Sequence, residues 1–504
     1  MNRTILFYEP GFPMASDAPD MGQLERLAAA GSLVNAEGLA EALDECEGGC
    51  FVNMHIPYFP KDAWCAILEF LKRGGGLVSV GGAPFRLPVS RKDGEWAVEA
   101  EQTAYHRQLL IHEAMPVDPS PIVRLVANED IPAASPYIEA LTVEPTCSLI
   151  MHVTRQSDIP HESGSAGPMD ARLVPLVKGV AADGREVAAP VVLLEHTKGE
   201  FAGGRWLFVN QRLTSRFWTQ AGAGADAIAA WAGFCSRGVA EMWLLPLYAA
   251  YEPGDRPKFR FQMQQLGRGQ AGGTAATAGS SWSCTFRFGK PSPDGGIAPE
   301  WTHTFEWNGS RELSVIPLHV PVELSPGLYG AELTAVSGTG EKRVLRQAVW
   351  GFDRELLAQG EPLVCGRDYF RKEGRPLPIV GMTYMTSDVA RKFLFLPNVA
   401  VWDQDMAEMK GAGINLIRTG LWTGYRNVMC EDGHPSEEAL RAIDAFILTA
   451  KRHDLEVTFN FFAFTPELWE GTNPYLDPRS VAAQKRFIAA IVYFRRTAKL
   501  PGCA

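Results

Sequence analysis

Apolar and polar positions in the last quarter of the chain follow a repeated order. Apolar runs lie at 378–385, 413–422 and 455–464, and each precedes a segment with apolar residues at helical spacing. Strand runs that alternate with helical segments are typical of a parallel sheet. Two neighbouring parallel strands run in the same direction, so the chain must cross back between them, usually through a helix. The pattern therefore predicts successive strand–helix units in one parallel sheet.

The helices of this part carry signals at their amino ends. Ser436 can cap the second helix, and Glu437 and Glu438 lie in its first turn, where the helix dipole favours negative charge. Asp477 provides a cap for the third helix, and Pro478 suits its first position because no N–H is needed there. These residues predict where the two helices begin.

Strands and helices also alternate in the first half of the chain. Runs at 3–8, 50–58 and 76–80 predict strands, and a helical stripe ending in glycines separates the last two. This βαβ unit predicts an open parallel sheet. Three further elements complete a predicted α/β domain over residues 1–250, namely strands at 191–196 and 205–213 and a helix at 224–238.

The periodicity changes to two after the turn-rich segment at 252–257. Apolar residues alternate with polar ones around Phe259, Trp282 and His303, which is typical of half-buried antiparallel strands. Several such runs predict an immunoglobulin-like β-sandwich over residues 256–352. A sandwich of this kind can be a spacer or can bind sugar, and the pattern leaves both interpretations open.

Charge and cysteine content narrow the class of partner. The 504 residues carry a net charge of −10, which argues against a nucleic acid or an anionic membrane and suits a neutral oligosaccharide or polysaccharide. Nine scattered cysteines without a C-x-x-C pair indicate neither a metal site nor a disulfide framework, and no cofactor is predicted. The first residues lack a signal-peptide pattern, and no run reaches the about 18 apolar residues of a membrane helix. The sequence therefore predicts a cytoplasmic protein.

The second strand of the last quarter contains a specific motif. Gly413, Asn415 and Arg418, in the run KGAGINLIRTGLW, form G-x-N-x-x-R. This run resembles the second-strand signature of cellulase-like glycoside hydrolases of family 5 and its clan, which implies a TIM (β/α)8 barrel over residues 365–504. In that clan the arginine hydrogen-bonds the nucleophilic glutamate, since its forked donors keep a carboxylate ionised. A surface arginine at a strand end is the alternative interpretation.

The resemblance implies a substrate site at the carboxyl ends of the strands. The candidate substrate-binding residues there are Tyr384, Arg418, Trp422, Asn460 and Trp469. Asn460 stands where the family often has a histidine, which leaves the subfamily open. Each aromatic ring can stack on a sugar or pack in the core. For any single ring, packing in the core is the favoured interpretation.

The resemblance also implies a reaction for which this chain lacks residues. Retaining hydrolysis of β-linked glycans needs an acid/base carboxyl and a nucleophile about 5 Å apart. The family provides both as glutamates after its fourth and seventh strands, whereas residues 378–504 provide three strands and about half the length of a full barrel. The chain is therefore expected to be an inactive fragment of a cellulase-, mannanase- or β-galactosidase-like enzyme. The alternative is a non-catalytic carbohydrate-binding or assembly protein.

Two further stretches resemble parts of known proteins. Residues 365–377 resemble the hairpin that precedes the first barrel strand in this clan, with Gly374 in the turn and the hairpin at the barrel's bottom. Residues 1–250 resemble flavodoxin-like domains related to class I glutamine amidotransferases, on the strand–helix pattern and the run GGGLVSVGG. The turn from Val80 to Pro84 has no cysteine nucleophile, so no amidotransferase activity is predicted.

Overall fold

The computed structural model describes residues 3–151, 169–220, 223–267, 281–293, 295–422, 428–429, 433–463 and 473–497, to which all structural statements below refer. Their sheets fall into three successive stretches of the chain, which combine mixed α/β with all-β architecture. No helix in this part of the chain is both long and apolar enough to cross a membrane.

The amino-terminal stretch is built around an eight-stranded sheet. Helices cover both faces, with Leu27 and Trp231 packing on one and Leu43 and Phe70 on the other. The elements are β1 (Arg3–Phe7), α1 (Met21–Ala30), β2 (Ser32–Val34), α2 (Leu39–Asp44), β3 (Gly49–Asn53), β4 (Tyr58–Pro60), α3 (Trp64–Lys72), β5 (Gly76–Val80), β6 (Leu87–Lys92), β7 (Glu95–Val98), α4 (Thr103–Gln108), β8 (Ile111–Val117), β9 (Ile122–Ala127), β10 (Thr146–Met151), β11 (Ala171–Ala181), β12 (Glu186–His196), β13 (Arg205–Val209), α5 (Ser215–Thr219) and α6 (Ala223–Cys235).

The eight-stranded sheet is mixed rather than parallel throughout. Its order is β2-β1-β3-β5-β13-β12-β11-β9, and the first five strands are parallel. The remaining strands are antiparallel to their neighbours. The prediction of a parallel sheet is therefore confirmed for β1, β3 and β5 and wrong for β9, β11 and β12. The β11–β12 hairpin turns back directly at Gly184 and needs no crossover helix. Strands β3 and β5 are buried on both faces, which explains their unbroken apolar runs.

The middle stretch contains two facing sheets with a shared apolar core. Its strands are β14 (Val239–Pro246), β15 (Ala250–Tyr251), β16 (Lys258–Leu266), β17 (Ser281–Pro291), β18 (Ile297–Asn308), β19 (Ser314–His319), β20 (Gly327–Ser337) and β21 (Lys342–Gly351). One sheet has the order β14-β16-β19 and the other β15-β21-β20-β17-β18. The predicted alternation is present in β16, where Phe259, Phe261 and Met263 point into the core.

Strand β14 belongs to this middle stretch. The sequence pattern grouped residues up to 250 with the amino-terminal α/β fold, but β14 pairs antiparallel with β16 from Val239 to Pro246. The short turn signal at 252–257 marks the connection between β15 of one sheet and β16 of the other, instead of the end of the α/β fold. Pairing partners so far along the chain are not visible in a strand's own pattern.

The carboxyl-terminal stretch contains strand–helix units. Its elements are α7 (Arg354–Ala358), β22 (Val364–Cys365), β23 (Phe370–Lys372), β24 (Arg375–Pro376), β25 (Gly381–Thr383), α8 (Val399–Gly411), β26 (Leu416–Gly420), α9 (Glu437–Arg452), β27 (Glu456–Asn460) and α10 (Pro478–Thr497). Strands β25, β26 and β27 form a parallel sheet in that order, as predicted. Within the described residues this sheet does not close into a barrel.

The predicted starts of the two helices are confirmed. Ser436 Oγ accepts a hydrogen bond from the Ala439 amide, and α9 begins at Glu437, directly after Ser436. Asp477 Oδ1 accepts from the Arg479 amide at 2.9 Å, and α10 begins at Pro478. Each cap satisfies an amide that the helix cannot bond internally.

A small hairpin lies at the amino ends of these strands, as predicted. Glu373 and Gly374 both have positive φ in the tight turn between β23 and β24. Lys372 Nζ lies 2.7 Å from Asp454 Oδ1 and 2.9 Å from Glu456 Oε1, next to the start of β27. These ion pairs attach the hairpin to the bottom of the sheet.

Strand β21 of the sandwich positions two helices of the carboxyl-terminal stretch. Trp350 is buried and its Nε1 donates to Thr449 Oγ1 of α9 at 2.9 Å. The Gln347 side chain accepts from the Val399 amide at the start of α8 and donates to the Pro397 carbonyl oxygen. The two helices cover the back of the β25–β27 sheet, so the sandwich fixes the layer on which the candidate site rests.

Candidate functional site

The register of β25, β26 and β27 decides which side chains share a face. Thr383, Arg418 and Thr458 are directly paired, and Gly420 pairs with Asn460 one step further along. Side chains alternate along a strand, so these residues lie on the face that is turned away from the helices. The neighbouring Ile417 is buried against the helix layer. The open face, here called the axial face, is defined by Thr383, Arg418, Thr458 and Asn460.

Arg418 is the charged group of the axial face. Its side chain is exposed, and its guanidinium carbon lies 5.1 Å from the ring centroid of Trp422. Its carbonyl oxygen accepts a hydrogen bond from the Tyr384 amide at 2.9 Å, which fixes the strand end. No carboxylate among the described residues forms an ion pair with it. An exposed guanidinium held over an indole ring is available to bind an anionic or hydroxyl-rich group.

Trp422 is a core residue with one ring face under Arg418. Only 8% of its surface is exposed, and it packs in the apolar core shared with α8 and α9. Its Nε1 is buried and has no hydrogen-bond partner among the described residues. The sequence left open whether this ring stacks on a sugar or fills the core, and the structure buries it in the core. Its role in substrate binding stays a prediction.

Tyr384 lies on the opposite side of the sheet from Arg418. It is 4% exposed, its ring packs near Phe393 and Phe446, and its hydroxyl donates to Asp405 Oδ2 at 2.7 Å. Burial, together with the adjacent Asp405, raises the pKa of the Tyr384 hydroxyl. Burial likewise raises the pKa of Asp405. The expectation that the Tyr384 side chain would share a surface with Arg418 is corrected: alternation along β25 turns it toward α8.

Asn460 ends β27 on the axial face and is half-buried. Its carbonyl oxygen accepts from the Leu421 amide at 2.9 Å, and a Cβ on Gly420 would collide with that oxygen. Glycine at 420 therefore lets the two strand ends approach closely. Trp469, the last of the predicted site residues, lies outside the described residues.

The carboxylates that glycoside hydrolysis needs are not brought to Arg418 by the described strands. Glu456 shares the axial face, but it lies at the amino end of β27 and is paired with Lys372. Asp405 lies behind the sheet with Tyr384. The sequence reasoning missed Thr383 and Thr458, which flank Arg418; aligning the three strands from their shared pattern would have found them. Among the described residues no cluster of three or more His, Cys, Asp or Glu is placed to hold a metal ion.

The turn after β5 in the amino-terminal sheet has its amides occupied. The Gly81 and Gly82 amides both donate to the Val209 carbonyl oxygen, at 3.2 and 3.1 Å. They are therefore not free to hold a phosphate group. Burial raises the pKa of the Cys50 thiol and raises that of Cys147 to about 12, so both are thiols and poor nucleophiles at neutral pH. The absence of amidotransferase activity stays a prediction.

His55 joins the loops that follow β1 and β3. Its Nδ1 lies 3.0 Å from the Pro13 carbonyl oxygen and its Nε2 accepts from the Glu9 amide at 3.1 Å, which makes Nδ1 the protonated nitrogen. The ring stacks on Tyr8 with centroids 5.4 Å apart. Parallel sheets often bind ligands where the chain crosses from one side of the first strand to the other. Both nitrogens of His55 are occupied there, so this residue supports the fold.

Acid should weaken the fold through His55. Burial lowers its pKa to about 4, whereas an unfolded histidine has a pKa of about 6.5. Between these values the unfolded state takes up a proton and the folded state does not, so stability is present above pH 6.5 and is lost as the pH falls toward 4. We expect this residue to remove about 2 kcal/mol of unfolding free energy between pH 7 and pH 5.

Urea unfolding of the wild type and of His55→Gln at both pH values measures this effect. The glutamine keeps a polar side chain but cannot be protonated, so the variant should lose about 2 kcal/mol less than the wild type over the same interval. Equal losses in the two proteins would show that His55 does not titrate as described.

Comparisons with known protein families and with curated proteins find no match for this chain. Solved structures with partial likeness include β-galactosidases from Rahnella sp. R3 and from Bacillus circulans sp. alkalophilus. Both are 10% identical, with TM-scores of 0.26 and 0.25 and coverage of 64% and 62% of this chain. The sporulation control protein Spo0M from Bacillus subtilis matches 24% of the chain and 51% of its own length, at 10% identity and a TM-score of 0.16. The chain spans 41% of the length of each β-galactosidase. At these TM-scores the likeness does not establish a shared activity.

Proposed function

We propose that the chain is a glycoside hydrolase relative that binds β-linked glycans at the axial face. The observation that carries the proposal is Arg418, the central residue of the middle parallel strand, whose guanidinium has no ion-pair partner among the described residues and lies on the face away from the helices. The motif that contains it is the one by which the sequence resembles family 5 glycosidases. In such a barrel the face away from the helices is turned toward the barrel axis, from which an arginine can reach toward the site at the carboxyl ends of the strands.

In this proposal Arg418 orients a carboxylate above the sheet. A guanidinium hydrogen-bonded to a carboxylate keeps it ionised, as a nucleophile requires, while a second carboxyl stays protonated and acts as the acid. Neither carboxyl is present beside Arg418 in the described strands. The described strands therefore support binding of a glycan and provide no carboxyl for its hydrolysis.

A non-catalytic carbohydrate-binding protein is the second candidate function. It is favoured by the exposed Arg418 with Thr383, Thr458 and Asn460 beside it, because these groups offer hydrogen bonds to sugar hydroxyls and no carboxylate of the described strands lies beside them. Assays with aryl β-glycosides and with β-glucan and β-mannan oligosaccharides separate the two candidates. Turnover supports the enzyme, and binding without turnover supports the binding protein.

Arg418→Met tests the site that both candidates share. Methionine keeps apolar contact with Trp422 and removes the charged donors, so oligosaccharide affinity should fall at least about tenfold, a cost of about 1.4 kcal/mol. Isothermal titration with the wild type and the variant measures the change.

Arg375→Met is the matched control. Arg375 is exposed on the β23–β24 hairpin at the opposite end of the sheet, so its loss should leave the affinity unchanged. Equal affinities for wild type and Arg418→Met would overturn the proposed site, even if the chain binds glycans elsewhere.

A further inference from the structure

Strand β18 is an open edge of the sandwich. It is the last strand in the sheet β15-β21-β20-β17-β18 and pairs with β17 alone. This pairing is regular over residues 301–308. Alternate residues of an edge strand turn their N–H and C=O groups away from the sheet, and no other described segment bonds to the backbone of residues 301–308. The edge is therefore available to pair with one more strand.

The opposite edge of the same sheet is covered. Strand β15 lies against α9, where Arg441 Nη1 donates to the Ala250 carbonyl oxygen at 3.4 Å and the Arg441 guanidinium lies over the Tyr248 ring. Edge strands that stay unpaired usually carry lysine, proline or a bulge that blocks a further strand. The run WTHTFEWN at 301–308 has none of these. The β18 edge is thus open and lacks the usual protection.

The two faces of this edge strand differ in chemistry. On the core side, Trp301, His303 and Phe305 form a row of rings whose neighbouring centroids lie 5.5 and 5.7 Å apart. Trp301 and Phe305 pack on the sandwich core but are only half-buried, and His303 is exposed. The outer face carries the exposed side chains of Thr302, Thr304 and Glu306. A partner strand would therefore meet rings on one face and hydrogen-bonding groups on the other.

The core side of this edge is complementary to itself in an antiparallel register centred on Thr304. A two-fold axis through Thr304 sets each residue opposite the one that lies equally far on the other side of the centre. His303 then faces the second copy's Phe305, and Trp301 faces the second copy's Trp307. Aromatic pairs directly opposite each other stabilise neighbouring antiparallel strands. The row of rings thus continues across the axis.

The outer side is compatible with the same register. Thr302 faces the second copy's Glu306, whose carboxylate can accept from the threonine hydroxyl. Thr304 faces its own counterpart, and threonine pairs are favourable on a sheet surface. Glu306 is the one charged residue of 301–308, so no like charges stand opposite each other. A second copy of this chain therefore fits the edge on both faces.

We propose that two copies of this chain pair antiparallel through β18, with the two-fold axis at Thr304. The pairing satisfies the outward backbone groups of both edges and removes the half-exposed rings from water. One strand pair buries less than the about 1,200 Å² of a standard interface, so the dimer is weak and forms with rising concentration. Nothing in this proposal depends on the glycan site at Arg418.

Sedimentation velocity of the full chain tests the dimer. The mass should rise from that of the monomer at about 1 μM toward that of the dimer at about 200 μM, the range of a small interface. Thr304→Lys sets two ammonium groups opposite each other at the axis, so the association constant should fall at least about tenfold. Ser283→Lys is the matched control, because Ser283 is exposed on the same face of β17, one strand inward, and should leave association unchanged.

Hydrogen exchange locates the contact without a variant. Alternate amides of residues 301–307 should exchange more slowly at the high concentration than at the low one, whereas the amides of β25, another edge strand, should not change. A monomer mass across the whole range would overturn the proposal. So would a dimer that forms without slower exchange in β18, or one that Thr304→Lys and Ser283→Lys form equally well.

Discussion

Glu341→Gln lowers the free energy of unfolding by about 3–5 kcal/mol, because it leaves the buried guanidiniums of Arg205 and Arg343 with Glu195 as their one shared counter-charge among the described residues. Glu341 accepts two hydrogen bonds from Arg205 across the contact between two sheets and one from Arg343, two residues further along its own segment. Burial alone would raise its pKa, but Arg205 and then Arg343 outweigh burial and lower the pKa to about 2. The carboxylate is thus charged in the folded state at any pH near neutral.

The same pKa sets the pH window of this contribution. The folded pKa lies below the unfolded value, so the stability that Glu341 gives is present above about pH 4.5 and is lost as the pH falls toward 2. Urea unfolding at pH 7 and pH 4 should therefore show the full gap between wild type and Glu341→Gln at pH 7 and a smaller gap at pH 4.

Glu323→Gln is the control for this experiment. Glu323 pairs with Arg256 at 2.8 Å, but both side chains are 62% exposed, so its loss should cost at most about 1 kcal/mol. A Glu341→Gln variant as stable as Glu323→Gln would contradict the interpretation that Glu341, Arg205 and Arg343 form a tightly coupled buried unit.

Trp350→Ala should destabilise the chain by about 3–5 kcal/mol, because it opens a large cavity between the sandwich and α9. Trp350 is 2% exposed and lies in the same apolar core as Phe446 and Trp402. Its indole also donates to the buried Thr449 hydroxyl at 2.9 Å. The substitution thus removes packing and a hydrogen bond at the place where the sandwich supports the helix layer behind the axial face.

Trp350→Phe separates these two contributions. Phenylalanine retains much of the apolar volume and loses the donor, so most of the packing loss is avoided while the hydrogen bond, about 1 kcal/mol, is removed. Urea unfolding of both variants measures the difference. If the phenylalanine variant were as unstable as the alanine variant, packing against α9 would not be the main contribution of Trp350.

Local patterns predicted the elements of the carboxyl-terminal stretch well. The caps at Ser436 and Asp477 lie within one residue of the helices they start, because a cap acts only on the next three amides. The run GINLIRTGLW contains β26, and Arg418 lies in the carboxyl-terminal half of this run. Alternation along that strand places Arg418 and Ile417 on opposite faces of the sheet.

Residues outside the regular pattern were harder to assign. Tyr384 follows β25 directly, and only the register with β26 decides that it faces α8 and Asp405. The sequence around Trp422 does not decide whether its ring stacks on a sugar or fills the core. Its burial under Arg418 depends on helices from other parts of the chain. A single apolar residue near a turn gives no signal that distinguishes these outcomes.

By itself, the sequence determined the alternation of strands and helices in the carboxyl-terminal stretch, the parallel pairing of β25, β26 and β27, and the presence of Arg418 in the middle strand. Those features follow from short-range rules of periodicity, capping and crossover connections. Only the tertiary structure decided that β14 joins the sandwich, that the amino-terminal sheet is mixed, and that Arg205 meets Glu341 from 136 residues away. Such contacts depend on which distant surfaces pack together, and no local pattern encodes that choice.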